Sequence, residues 1–288
     1  MSVLHYSEVR GLRMAYREAG SGPPIVFLHG NPTSSFLWRN IIGPLAHHGR
    51  CLAPDLIGMG ASDPLPDSGP DRYRFLDHRE HLDALLTTIG ADREVVIVGH
   101  DWGAVLGIDW ARRHPNAVRG IAYMETLVAP VSWNDQNAPD PDLIRPLRTD
   151  AGEQMVLHDN VFVEKVLPAG TRRTLTDDEM AAYRAPYRQP GESRRPTLTW
   201  PREIPIDGHP ADVHAIVTAN ARWMATSPVP KLFLNGDPGA LLTGPLRQQC
   251  RTWPHQREVT VPGLHFLPED APHEIAIALD NWIATLPR

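Results

Sequence analysis

The chain has 288 residues, of which 42% are hydrophobic and 22% are charged, and its formal net charge at pH 7 is -6. This length and apolar content fit one large globular domain, or one domain with an insertion. No stretch of about 18 apolar residues and no basic cluster stands out. We therefore expect no membrane span, no nucleic-acid partner and no anionic membrane surface as a partner.

The cysteine content and the first residues bear on the compartment. Cys51 lies in an apolar segment and Cys250 in a predicted helix, so we expect two buried, reduced thiols rather than a disulfide framework. Residues 1–8 lack a basic segment followed by an apolar one. We expect a cytoplasmic protein that acts as a monomer.

Apolar periodicity predicts alternating strands and helices in the first half of the chain. Residues 3–8 and 12–19 alternate polar and apolar side chains, which predicts an antiparallel hairpin. Short apolar runs predict strands at 25–28, 51–54, 95–98 and 118–125. Helices are predicted from apolar residues at helical spacing, first Trp38, Ile41, Ile42 and Leu45, then Leu82, Leu85, Leu86 and Ile89.

The alternation stops between residues 127 and 206, a proline-rich segment with helical pieces and no clear strand. It resumes with strands at 231–236 and 258–261, a helix at 243–252 and a final helix from Ile275 to Leu286. This order predicts an α/β fold, a mostly parallel eight-stranded sheet flanked by helices. We expect residues 1–126 and 207–288 to form the core and residues 127–206 to form a helical cap over the carboxyl ends of the strands.

The segment Gly99-His100-Asp101-Trp102-Gly103 follows a buried strand and opens a helix. This is the pattern of a nucleophile elbow, G-x-S-x-G, with aspartate in place of serine. A carboxylate can displace a leaving group from a saturated carbon, and water can then hydrolyse the resulting ester. The elbow therefore predicts hydrolysis at a saturated carbon, with Asp101 as the nucleophile.

A base and an acid are expected at the ends of later strands. His265 follows the last predicted strand, and the chain order nucleophile, acid, histidine fits the α/β-hydrolase arrangement. Glu125 and Asp237 are both strand-end carboxylates that could accept the imidazole N–H and fix its tautomer. From the residues alone, the choice between these two acids stays open.

Other histidines and basic residues are interpreted as structural. We expect His100 to support the elbow, and His78 and His81 to lie on a solvated helix face. Arg194 and Arg195 are expected on a solvated surface. The sequence has no H-E-x-x-H segment or comparable ligand set, so we expect no metal.

Two residues beside the nucleophile carry hydrogen-bond donors. Asn31 follows the third strand and Trp102 follows Asp101, so each offers a backbone N–H to an oxyanion hole. Each also has a side-chain N–H, the Asn31 amide and the Trp102 indole. Two neutral donors in a dry cleft suit a departing halide.

Taken together, these motifs carry a resemblance that covers nearly the whole chain. They are His29-Gly30-Asn31-Pro32, the elbow, Tyr123-Met124-Glu125, Trp200 to Pro205 and Leu264-His265-Phe266. The sequence resembles the haloalkane dehalogenases, and within them the subfamily that includes hexachlorocyclohexane-degrading enzymes. The elbow alone is shared with epoxide hydrolases, and the other motifs make the match specific.

The resemblance implies an α/β-hydrolase fold and a cofactor-free reaction of a small apolar halogenated substrate with water. In that subfamily the acid is the glutamate after the sixth strand, which favours Glu125 over Asp237. Asp101 would displace the halide, Asn31 and Trp102 would hold it, and His265 would activate water. The products would be an alcohol, a halide ion and a proton.

The resemblance also implies a pocket and a tunnel. Residues expected to line the apolar pocket are Phe162, Pro201, Leu127, Val166 and Leu241, with Gly170 near the tunnel mouth. Gln136 and Ile144 stand at cap positions where larger apolar or aromatic side chains are expected. A wider or wetter access route would follow.

Three other functions were considered. An epoxide hydrolase would use the same nucleophile and base, but it needs cap donors, for which Tyr183 and Tyr187 are the candidates. Coelenterazine-type luciferases also resemble the dehalogenases. A ligand receptor on a hydrolase fold is the non-enzymatic alternative, which the intact catalytic set disfavours.

Overall fold

The computed structural model describes residues 2–135 and 140–287. One eight-stranded sheet has the order β1-β2-β4-β3-β5-β6-β7-β8. β1 and β2 pair antiparallel, as do β2 and β4, and every other neighbouring pair is parallel. The strands are β1 (Val3–Val9), β2 (Leu12–Ala19), β3 (Pro24–Leu28), β4 (Arg50–Pro54), β5 (Val95–His100), β6 (Val118–Met124), β7 (Lys231–Pro238) and β8 (Gln256–Gly263).

Helices connect the parallel strands and continue between β6 and β7. In chain order they are α1 (Ile42–Leu45), α2 (Phe75–Thr88), α3 (Trp102–Arg113), α4 (Pro141–Leu147), α5 (Leu167–Ala169), α6 (Asp177–Arg184), α7 (Arg195–Arg202), α8 (Ala211–Thr226), α9 (Gly244–Arg251), α10 (Leu267–Asp270) and α11 (Pro272–Ile283). Within the described ranges, none of these helices is long and apolar enough to span a membrane.

The sheet is buried on both faces, which is why its central strands are continuously apolar. Successive side chains of β3 enter different apolar clusters. Val26 and Leu28 belong to the first cluster, and Ile25 and Phe27 belong to the second. α2 and α3 cover the first face, and α1 and α11 cover the second. This arrangement confirms the predicted fold class.

Between β6 and β7, the described residues contain helices and two isolated bridges, which join Ile206 to Val131 and to His209. The helices α4 and α7 contribute to a third apolar cluster with the irregular helical turns Glu153–His158 and Phe162–Val166. The third cluster comprises Val131, Ile144, Leu147, Val156, Leu157, Val161, Phe162, Leu198 and Ile206. Ile144 is therefore buried in this cluster, while Gln136 lies outside the described residues.

The predicted helix around Trp38 and Leu45 is wrong as one continuous element. A 3₁₀ turn, Ser35–Trp38, is capped by the Ser34 side chain, and α1 begins only at Ile42. All four apolar residues of the predicted stripe are nevertheless buried. The apolar spacing therefore marked burial correctly, but it did not require an unbroken helix.

The predicted exposure of two histidines and two arginines is also wrong. His78 and His81 are buried, and the His78 ring stacks on Trp200 of α7 with centroids 4.3 Å apart. Arg194 is buried and donates to the Leu157 and His158 carbonyls, while buried Arg195 pairs with Glu153. Cys51 and Cys250 are buried and free, as predicted.

The turn between β5 and α3 depends on close backbone packing. A Cβ atom on Gly103 would overlap the carbonyl oxygens of Leu28 and His29, and one on Gly99 would overlap the backbone of Ala104. Backbone atoms cannot swing aside as a flexible side chain can. Glycine at position 103 therefore lets α3 approach the end of β3, and glycine at position 99 lets α3 approach the end of β5.

We expect Gly103→Ala to lower the free energy of unfolding by about 3 kcal/mol or more, because the new methyl group meets backbone oxygens. Gly43→Ala is the matched control, since a Cβ atom there meets nothing within 4 Å. The control should be neutral or stabilising by up to about 1 kcal/mol. Urea unfolding measures both, and equal effects would contradict the packing argument.

Candidate active site

Asp101 occupies the turn between β5 and α3 in an unusual backbone conformation, with φ 52° and ψ -131°. A positive φ is unfavourable for a residue with a Cβ atom. Hydrogen bonds hold the turn: Asp101 N–H donates to Met124 O at 3.4 Å, and the Thr126 hydroxyl donates to Asp101 O at 2.7 Å. The strained turn places Asp101 at the carboxyl end of the sheet.

The Asp101 carboxylate is buried against the loop after β3. Its Oδ2 accepts the Asn31 backbone N–H at 2.8 Å. A Cβ atom on Gly30 would overlap this carboxylate, so glycine is required for the approach. Burial raises the pKa of Asp101, although His265 and the backbone N–H groups of Asn31 and Trp102 act to lower it.

His265 lies in the loop after β8, with its Nδ1 3.6 Å from Glu125 Oε2, and within the described part of the chain no group lies within hydrogen-bond distance of Nδ1. This separation is slightly longer than a hydrogen bond, and catalytic contacts of this kind tighten when a substrate binds. Burial lowers the pKa of His265, but Glu125 and Asp101 outweigh it, and the net shift is upward. The two carboxylates therefore favour a proton on the imidazole.

Glu125 follows β6 and is fully buried, with φ 39°. Its Oε2 accepts the backbone N–H groups of Ala240 at 3.0 Å and Leu241 at 2.7 Å, both in the loop after β7. Asp237 is exposed near the end of β7. The fold thus places Glu125, the acid favoured by the resemblance, against His265.

Two further contacts hold the His265 loop. His100 Nε2 lies 2.8 Å from the His265 carbonyl oxygen, so His100 donates from Nε2 and supports the base as well as the elbow. The Gly170 carbonyl accepts the N–H groups of His265 and Phe266, each at 3.0 Å. A backbone acceptor of this kind has no side-chain signature, so the Gly170 contact could not be predicted from the sequence.

The α7 helix contacts both predicted halide donors. The Asn31 side-chain amide donates to the Thr197 carbonyl at 3.2 Å. The Trp102 indole stacks on Trp200, with centroids 4.7 Å apart and planes at 23°. Trp200 in turn stacks on His78, so α7 fixes the ring plane of Trp102 through an aromatic stack.

The five predicted pocket residues lie on four segments of the chain. Phe162 is buried in the third apolar cluster, and Val166 packs against that cluster. Pro201 is buried in α7, one residue after Trp200, and Leu127 is half-buried against the core. Leu241 is half-buried beside Glu125, to which its N–H donates.

A buried ionic cluster behind the His265 loop was not predicted. Glu269 in α10 is almost fully buried and pairs with Arg39 at 2.6 Å and Arg173 at 2.5 Å. The Tyr183 hydroxyl also donates to Glu269, and its pKa is raised well above the ordinary value, first by burial. Because this hydroxyl is committed to Glu269, Tyr183 is a poor candidate for opening an epoxide.

Taken together, the site contains a buried carboxylate on a strained turn, a histidine–glutamate pair near it, and N–H donors from Asn31 and Trp102. A carboxylate nucleophile with an adjacent imidazole supports displacement followed by hydrolysis of an ester. The donors can stabilise an oxyanion or a departing anion.

Known proteins are similar to this chain in sequence and in structure. Residues 23–272 match the family model described as the alpha/beta hydrolase fold. Similar proteins include haloalkane dehalogenases from Sphingobium indicum, 55% identical over 98% of this chain and 95% of that protein, and from Mycolicibacterium smegmatis, 47% identical over 97% and 90%. The crystal structure of a haloalkane dehalogenase from Bradyrhizobium elkani superposes with a TM-score of 0.92, at 43% identity over 99% of this chain and 98% of that chain. The chain therefore belongs to the haloalkane dehalogenases.

Proposed function

We propose that this enzyme hydrolyses small apolar haloalkanes through an alkyl ester of Asp101. The observation that carries the proposal is the buried Asp101 carboxylate, held by the Asn31 N–H within reach of the His265–Glu125 pair. No cofactor enters the proposed reaction. Neither epoxide opening nor heterocycle oxidation is favoured by a specific contact of the site.

In the first step a carboxylate oxygen of Asp101 attacks the carbon that carries the halogen. Since Oδ2 accepts the Asn31 N–H, Oδ1 is the proposed attacking atom. A carbon–oxygen bond forms while the carbon–halogen bond breaks, and the halide leaves with the bonding electron pair. The Asn31 amide and the Trp102 indole N–H would donate to this developing anion.

In the second step water attacks the carbonyl carbon of the ester. His265 takes a proton from the water, and Glu125 holds the imidazole with its proton on Nδ1 and stabilises the imidazolium. The backbone N–H groups of Asn31 and Trp102 would stabilise the tetrahedral oxyanion. Collapse of this intermediate releases the alcohol and restores the Asp101 carboxylate, and a proton leaves to solvent.

The cap would shape the substrate pocket. We propose residues 127–206 as the cap and residues 1–126 and 207–288 as the core. The proposed lining residues are Phe162, Pro201, Leu127, Val166 and Leu241, with Gly170 near the tunnel mouth. The contacts of α7 with Asn31 and Trp102 support a cap that also orients the halide donors.

We also propose a cellular compartment and an oligomeric state for the enzyme. Two buried free cysteines fit a reducing compartment, which supports a cytoplasmic location. We also propose that the enzyme acts as a monomer. Light scattering combined with size-exclusion chromatography would test the monomer directly.

Removing the base should trap the ester. We expect His265→Phe, incubated with 1-bromohexane, to gain the mass of one hexyl group and to keep it, because displacement survives and hydrolysis stops. Intact-mass spectrometry and peptide mapping would place the hexyl group on Asp101. Asp101→Ala is the control and should gain nothing. A folded His265→Phe variant without an adduct, also with smaller bromoalkanes, would contradict the mechanism.

Removing the Glu125 charge should slow hydrolysis and move its pH dependence. Glu125 helps to raise the pKa of His265, and the base must be neutral to accept a proton. Glu125→Gln should therefore lower kcat by about a hundredfold or more and shift the acidic limb of the ester-hydrolysis profile to lower pH. Single-turnover rates across pH measure both effects. Asp237→Asn should change neither kcat nor the pH profile. A larger effect in Asp237→Asn than in Glu125→Gln would identify Asp237 as the acid.

Removing the indole N–H should weaken halide binding. Trp102→Phe keeps the backbone N–H and an aromatic ring against Trp200, but it deletes one proposed donor. We expect the bromide dissociation constant to rise about tenfold or more, measured as product inhibition. Trp223→Phe, on α8, is the matched control. Unchanged bromide inhibition in Trp102→Phe would show that the indole does not hold the halide.

A further inference from the structure

We propose that His47, His48 and Asp280 form a binding site for a divalent transition-metal ion. The two histidines follow α1, and Asp280 lies on α11. α1 and α11 pack in the same apolar cluster, so the relative positions of the three side chains are set by the core. None of the three residues belongs to the proposed catalytic machinery, so this inference is independent of the proposed function.

The three side chains converge on one point. His48 Nε2 lies 2.8 Å from Asp280 Oδ1, and His47 Nε2 lies 3.0 Å from the same oxygen. All three candidate ligand atoms are within 4.8 Å of one another. Two imidazole nitrogens and one carboxylate oxygen therefore point into a common space, as ligands of a single ion do.

The second ring nitrogen of His47 explains why a cation fits there. His47 Nδ1 lies 2.9 Å from the Pro44 carbonyl oxygen, which can only accept, so Nδ1 carries the proton. In the neutral ring, Nε2 then presents a lone pair to the Asp280 carboxylate. Two acceptors 3.0 Å apart repel each other unless a cation lies between them.

A proton on Nε2 is the competing explanation for the His47 contact. The two rings lie side by side, with centroids 4.1 Å apart, so one ion can reach both of them. A metal ion binds both neutral rings and the carboxylate at once. The hydrogen bond from His47 Nδ1 to a backbone carbonyl is also the usual outer contact of a metal-bound histidine.

The donor set indicates the kind of ion. Imidazole nitrogen suits Ni²⁺, Cu²⁺ and Zn²⁺, whereas Ca²⁺ and Mg²⁺ prefer all-oxygen sites. Bonds of about 2.0–2.1 Å at right angles would place neighbouring ligands about 2.9 Å apart. The observed separations of 2.8 and 3.0 Å accommodate bonds of that length, and among these ions Cu²⁺ and Ni²⁺ are the ones that take tetragonal geometry.

The exposure of the site fits an accessible, incomplete coordination sphere. The side chains of His47, Asp280 and His48 are 62%, 45% and 16% exposed. Water can complete the coordination, and an ion can enter without opening the fold. Because the ion would join α11 to the segment after α1, its binding should stabilise the folded enzyme.

The test uses tag-free, full-length enzyme treated with a chelator and dialysed. Titration with Ni²⁺ in a calorimeter should show one ion per chain, and Ni²⁺ should raise the Tm. His47→Ala, His48→Ala and Asp280→Asn should each weaken Ni²⁺ binding about tenfold or more and remove the rise in Tm. The electron paramagnetic resonance spectrum of bound Cu²⁺ should lose its nitrogen coupling when His47→Ala and His48→Ala are combined, which gives the double histidine variant.

His273→Ala is the matched control, since His273 is an exposed histidine on the same helix as Asp280. It should bind Ni²⁺ as the unchanged enzyme does. The dehalogenation rate should stay the same in all of these variants. Unaltered Ni²⁺ binding in the double histidine variant, an equal loss in His273→Ala, or no binding to the unchanged enzyme would each overturn the proposal.

Discussion

The site depends on how closely three backbone segments approach one another at the carboxyl end of the sheet. Gly103 lets the start of α3 touch the end of β3, and Gly30 leaves room for the Asp101 carboxylate. With this packing, the Asn31 N–H reaches Asp101 Oδ2 at 2.8 Å. A side chain at either glycine would separate the nucleophile from its donors. The chemistry therefore requires close backbone packing as well as the charged groups.

The segment between β6 and β7 holds several parts of this site in place. α7 contacts Asn31 and Trp102, and the Gly170 carbonyl accepts from the His265 loop. The Glu269 cluster joins α10 to Arg173 and Tyr183 from the same segment. Breaking a buried ion pair of this kind by removing one partner typically costs about 3–5 kcal/mol. The helices between β6 and β7 therefore help to position both the donors beside Asp101 and the loop that carries His265.

Local sequence predicted the elements whose signal is local. The elbow, the strand before it and the donors at Asn31 and Trp102 each follow from neighbouring residues. The choice between Glu125 and Asp237 could not be made from neighbouring residues, because both carboxylates lie at the ends of adjacent strands. The amides that hold Glu125 come from the loop after β7, far along the chain. The burial of His78 was missed for the same reason: the helix that covers it lies more than a hundred residues away in the chain.

Two histidine–carboxylate contacts in this chain differ in which ring nitrogen faces the acid. In the buried pair, His265 turns Nδ1 toward Glu125, which leaves Nε2 free to take a proton from water. At the surface, His47 donates from Nδ1 to the Pro44 carbonyl, and its Nε2 faces Asp280. The first arrangement orients a base, and the second brings a lone pair and a carboxylate together around a cation. The group that faces Nδ1, a carboxylate at His265 and a backbone carbonyl at His47, therefore decides which chemistry the ring supports.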